Sequence, residues 1–150
     1  MAENGDTSDK IPDSSPYAQK HLDVLQGIIQ RMAGNSSAAK TWCITIVSAL
    51  LALGAGGQAP ALGWVTLLPV LMFWVMDSYY LSLERAFIKL YRQSVYAAYC
   101  GELKPEDLRF TTPLESSLKD WWSAFFSTSV LVFYPVILLL IVILEVLFLT

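Results

Sequence analysis

Apolar residues occur along this chain in two ways, as continuous runs and as helical stripes, and the alternation of the two predicts its elements. Residues 41–57 (T-W-C-I-T-I-V-S-A-L-L-A-L-G-A-G-G), 61–80 and 123–147 are apolar on every side, with no charge between Lys40 and Asp77 and none between Asp120 and Glu145. A helix that is hydrophobic all round belongs in a core or a bilayer, and a span takes roughly 20 helical residues. The runs predict three transmembrane helices at about 41–57, 61–80 and 123–147, the second bent at Pro69. Small residues of the first, Ser48, Ala49, Ala52 and Ala55, suit close approach of another helix.

Striped segments precede and separate these runs. In residues 16–40, Leu22, Leu25, Ile29 and Met32 stand three and four apart, which predicts a cytoplasmic amphipathic helix opened by Pro16 and closed by a break at Gly34-Asn35-Ser36-Ser37. Only Lys20 and Arg31 are basic in residues 17–33, so the stripe is expected against a partner helix rather than on headgroups. Residues 81–120 form a cytoplasmic helical segment, in which Tyr80, Leu83, Phe87, Leu90 and Tyr91 continue the second span as a stripe until Gly101 ends it. After a turn at L-K-P-E-D-L-R-F, Thr112-Pro113-Leu114-Glu115 supplies N-cap, N1 and N3 of the last helix. That helix is expected to run unbroken into the membrane at Trp121 and Trp122, an interfacial aromatic pair. Residues 1–15 are polar, acidic and hold a proline, as a disordered tail does.

Composition agrees with this reading. The 150 residues are 55% hydrophobic, and a mean hydropathy of +0.48 belongs to membrane proteins. The fold class expected is an all-α integral membrane protein with residues 41–150 as its membrane domain. Lys40, Arg85, Lys89 and Arg92 place the N-terminus and residues 81–120 inside and Thr150 on the far face. The polar first forty residues predict no signal peptide. Cys43 in an apolar helix and Cys100 near a turn predict reduced thiols rather than a disulfide. A net charge of −3 gives no general affinity for nucleic acid.

A single histidine, His21, and the absence of hydrolase, nucleotide-loop and metal-ligand motifs argue against an enzyme, and no cofactor or metal is expected. Chemistry is concentrated on one face of the third span. At about 100° per residue, Ser123, Ser127, Tyr134, Leu138, Ile141 and Glu145 align. Such a stripe reads as pore lining: hydroxyls at the inner mouth, a hydrophobic constriction, and a ring of Glu145 carboxylates that attracts cations. The alternative for Glu145 is an acid at the frayed outer end of a helix. Pro135 either hinges or tilts that helix, and Asp77 reads as an interfacial polar anchor. Arg85, Lys89 and Arg92, with Tyr96 on the next turn, form a basic stripe that either holds anionic lipid or, repeated around an oligomer, binds a nucleotide or single-stranded oligonucleotide between aromatic platforms.

At residues 21–42 (H-L-D-V-L-Q-G-I-I-Q-R-M-A-G-N-S-S-A-A-K-T-W) and 68–91 (L-P-V-L-M-F-W-V-M-D-S-Y-Y-L-S-L-E-R-A-F-I-K-L-Y) the sequence looks like a family of small bacterial multi-pass membrane proteins. The general plan also resembles the membrane effectors of nucleotide-signalling antiphage systems, the Hailong type in particular, in which an ion-channel effector is paired with a nucleotidyltransferase. The resemblance covers roughly half the chain. It implies a homo-oligomeric channel of the bacterial inner membrane, opened by a nucleotide or oligonucleotide on the cytoplasmic side, and no binding motif carries over residue by residue. Two functions are therefore expected to compete: a gated cation channel, tetrameric or another ring, and a non-conducting scaffold that recruits a partner protein.

Overall fold

The computed structural model describes residues 16–55, 62–100 and 118–149. These are helical almost throughout: α1 (Pro16–Ala55), a single helical turn α2 (Leu62–Val65), α3 (Leu67–Tyr99), α4 (Leu118–Phe125) and α5 (Thr128–Leu149). The tail 1–15, the hairpin loop 56–61, the turn 101–109, the start signal 112–115 and Thr150 lie outside the described residues.

Helices α1 and α3 form a long antiparallel hairpin on which the other elements lean. Its register is set by Ala18 packing on Ala98 at one end, Gln26 Nε2 donating to the Tyr91 hydroxyl at 2.8 Å, Ser36 meeting Asp77, and Cys43 and Val47 packing with Val70 at the other end. Buried positions of α1 fall in two runs with steps of three and four, Ala18, His21 and Leu25, then Ser36, Ala39, Cys43 and Val47, with eleven residues from Leu25 to Ser36. This is the seam of a two-helix coiled coil, and its many small members let the two backbones approach. At 1.5 Å per residue, the 40 residues of α1 extend about 60 Å, twice the hydrocarbon thickness of a bilayer.

Continuity of α1 corrects the break expected at Gly34-Asn35-Ser36-Ser37, so the striped segment 16–40 and the apolar run after it share one helix. Serine breaks a helix when its hydroxyl competes for the backbone. Here the Ser36 hydroxyl is buried and donates to Asp77 Oδ1 instead, so packing against α3 overrides the local signal. The continuation of α3 from the apolar stretch into residues 81–99 follows the predicted stripe. The bend expected at Pro69 is an interruption at Thr66. A proline ring clashes with the carbonyl four residues earlier, which is that of Val65, where α2 stops.

The final helix is also not the unbroken rod expected from Thr112 onward. It divides into α4 and α5 at Phe126 and Ser127, whose amides bond back to Trp122 O (3.1 Å) and Ala124 O (3.0 Å). The Ser127 carbonyl then accepts the amides of Val130 (3.0 Å) and Leu131 (2.8 Å), so Ser127 is the N-cap of α5. Pro135 is accommodated within α5.

Two helices are long and apolar enough to cross a membrane, within Pro16–Gly54 (hydropathy 1.5) and Thr128–Leu147 (hydropathy 3.0), and 17% of each apolar window is buried by the rest of the chain. A soluble core helix would be covered by its own chain. These are not, and Leu68, Leu71, Met72, Val75 and Met76 of α3 are exposed as well. Because Leu25 is fully buried in the polar half of the hairpin, Leu25→Ala is expected to cost about 2–4 kcal/mol. Hydrogen exchange should quicken across residues 18–32 and 88–98 while α5 keeps its protection.

Candidate functional site

The charges that bracket the uncharged stretch meet across the hairpin. Lys40 projects from α1 and Asp77 from α3, and Lys40 Nζ lies 2.6 Å from Asp77 Oδ2. The two groups form an ion pair across the hairpin. Oδ1 accepts from Ser36, and Ser36 Oγ in turn accepts from Lys40 at 3.1 Å. The Asp77 side chain is 0% exposed and that of Lys40 21%, so the acid is buried outright and the base keeps an edge at the surface. Lys40 Nζ also stands 6.0 Å from the centroid of the Phe133 ring, a cation–π contact that draws α5 to the pair.

From sequence, Lys40 marks topology and Asp77 an interfacial anchor; that the two pair is not part of that expectation. The available signal was that two lone charges of opposite sign bound one hairpin's uncharged stretch. Ser36, read as a helix breaker, is the third member.

On the α5 side, Tyr134 is fully buried beside Asp77 and Cys43 and donates to Phe73 O at 3.1 Å. Trp74 of α3 is sandwiched between Phe125 (4.8 Å between centroids, 5° between planes) and Tyr134 (5.7 Å, 5°). One ring of this three-ring stack comes from each of α4, α3 and α5, so it spans the break between α4 and α5.

That break would leave carbonyls of the last turn of α4 without partners. The structure accounts for all four. Trp122 O and Ala124 O take the amides of Phe126 and Ser127, Ser123 O accepts from Arg85 Nη1 at 3.4 Å, and Phe125 O accepts from Trp74 Nε1 at 3.4 Å. Arg85 Nη2 also donates to Ser127 Oγ at 2.7 Å. Two side chains of α3 therefore close the elbow, with Lys89 Nζ 3.7 Å from Asp120 Oδ1 as a looser third tie.

The stripe expected to line a pore is turned toward the hairpin. Tyr134 and Ile141 are buried, Leu138 packs on the same core, and Ser127 is held by Arg85. Ser123 is exposed and Glu145 half-buried. Phase along a single helix places Ser123 on that face, but Ser123 belongs to α4 and stands outside it. A face covered by the same chain cannot simultaneously line a space between chains, so in this state it serves packing. The expected ligand stripe is divided: Arg85 belongs to the elbow, Lys89 reaches Asp120, and Arg92 and Tyr96 are exposed.

Among the described residues no group of three or more His, Cys, Asp or Glu side chains could hold a metal. No protein family, no curated protein and no solved structure matches the chain. The site's reading therefore rests on its own geometry. Asp77→Asn leaves Lys40 without its counter-charge in the seam, and breaking a buried pair this way costs about 3–5 kcal/mol. The apolar double replacement Lys40→Met/Asp77→Leu should recover most of that loss in thermal unfolding of the detergent-solubilised protein.

Proposed function

We propose that the chain is a multi-pass protein of the bacterial inner membrane that assembles as a homo-oligomer, a tetramer or another ring, and conducts cations when a nucleotide or oligonucleotide binds on its cytoplasmic side. The observation that carries this reading is the Ser36–Lys40–Asp77 cluster, a buried ion pair between apolar helices and in contact with α5. Ionisable groups inside a membrane are costly and mark conduction paths or switches.

Three spans are the topology this reading uses. The apolar half of α1 crosses first and α5 last, while α2 with the apolar start of α3 makes the return. Pairing with Lys40 removes the isolated charge that would weaken α3 as a span. The remaining lengths of α1 and α3 then stand in the cytoplasm as a coiled-coil lever, with the N-terminus inside and Thr150 in the periplasm. Conduction requires α5 to leave the hairpin, because Ser127, Tyr134, Leu138 and Ile141 of the stripe become available only then; Ser123, on α4, is already exposed and Glu145 is half-buried. The structure corresponds to the closed state in this scheme. The resemblance to antiphage effectors supplies the biological setting, with a nucleotidyltransferase as the source of the ligand.

The inward turn of that stripe favours a second reading, a non-conducting membrane scaffold whose cytoplasmic lever recruits a partner protein. Recordings from the purified protein in planar bilayers separate the two. The channel reading expects a ligand-dependent cation current whose selectivity falls in Glu145→Gln. Silence with every nucleotide tried leaves the scaffold. A reporter fused after Thr150 should be active only in the periplasm, and cytoplasmic activity would refute three spans.

A further inference from the structure

Arg85, Lys89 and Arg92 stand at i, i+4 and i+7 on α3, one face of one helix. In the structure this face is already occupied by polar groups of the neighbouring segment. Asp120, on the first turn of α4, lies against Lys89, and the Ser123 carbonyl and Ser127 hydroxyl lie against Arg85. Arg92 is exposed and has no ion-pair partner among the described residues. The basic face thus holds an internal acid on one side and is open on the other.

We propose that this face is an anion-operated latch: a phosphate-bearing di- or polyanion bound by Arg92 and Lys89 displaces Asp120, draws Arg85 from Ser127, and frees α4 and the foot of α5 from α3. The inference rests on the cytoplasmic-ligand part of the proposed function and is independent of conduction.

The relative strengths of the contacts support displacement. The Lys89–Asp120 separation of 3.7 Å, with side chains 70% and 48% exposed, is that of a weak surface pair. A phosphate group brings more charge and a matching fork of oxygens for a guanidinium. Arg85 is the coupling residue, because the same guanidinium that would turn to the phosphate closes the elbow at Ser123 O and Ser127 Oγ. Once it turns, the Ser123 carbonyl loses its partner and the elbow loses one of its two ties to α3. Trp74 on Phe125 O is the other, and it alone is then left holding the elbow to α3.

The test uses the full chain in lipid nanodiscs, with exposed Cys100 replaced by serine and spin labels at Gln93→Cys on α3 and Ser123→Cys on α4. Tripolyphosphate in discs of neutral phosphatidylcholine should lengthen the distance between labels, and Lys89→Gln/Arg92→Gln should abolish the response. If discs of phosphatidylglycerol lengthen it without tripolyphosphate, the operating phosphate is a lipid headgroup; if only tripolyphosphate does so, it is a soluble one. Removing the internal competitor with Asp120→Asn should tighten tripolyphosphate binding by about two- to fivefold, the scale of an exposed ion pair. Glu84→Gln, which removes a charge next to Arg85 without touching the latch, should tighten it less. No lengthening with either phosphate source, or equal tightening by Asp120→Asn and Glu84→Gln, overturns the latch. Lengthening in a protein that passes no current would retain the latch and refute the channel.

Discussion

A carboxylate held without any solvent contact between two apolar helices has to be compensated where it sits, and the rest of the structure is arranged around how Asp77 achieves this. Its charge is balanced by Lys40 and its second oxygen by Ser36, both on α1. That requirement fixes the register of the hairpin, because sliding α1 by one residue would carry the ammonium and the hydroxyl away from the acid together. It also explains why α1 remains a single helix through Gly34-Asn35-Ser36-Ser37. A break there would take Ser36 and Lys40 out of one helical turn and leave Asp77 half compensated.

The second constraint lies at the corner between α4 and α5. A helix interrupted next to an apolar segment exposes carbonyls that lipid cannot satisfy, and this chain meets the demand with two side chains of α3, Arg85 and Trp74. The position of α5 therefore depends on α3 twice, through the elbow and through Tyr134 on the Phe73 carbonyl, and on α1 through Phe133 beside Lys40. Such a helix is attached at its foot and its middle by polar contacts, while most of its surface is apolar and exposed.

Much of the architecture could be read from residue spacing. Of the stripe Leu22, Leu25, Ile29 and Met32, Leu25 is buried in the seam of α1 and the other three are half-buried beside it, while Tyr134, Leu138 and Ile141 of the expected pore stripe share the packed face of α5, Ser123 is exposed on α4 and Glu145 is half-buried. What that face meets was not legible, because periodicity shows that residues lie together and not whether the partner is another copy, a pore or the same chain. The breaks were misplaced for a related reason. Gly34 and Ser36 carry strong local signals that a distant acid overrides, whereas the break at Ser127 depends on Arg85 and Trp74, both remote in sequence. Pro69 carried the correct information, displaced by the four residues over which a proline acts. The pairing of Lys40 with Asp77 needed the hairpin register, which no local pattern supplies.

A charge swap tests most directly whether the Lys40–Asp77 pair sets the register of the hairpin. In lipid nanodiscs, Lys40→Asp and Asp77→Lys alone should each place like charges in the seam and accelerate hydrogen exchange along both α1 and α3. The double swap should restore protection to nearly that of the unmodified chain. Single swaps that leave exchange unchanged, or a double swap no better protected than either single, would show that the hairpin is held by its apolar seam and that the pair is incidental.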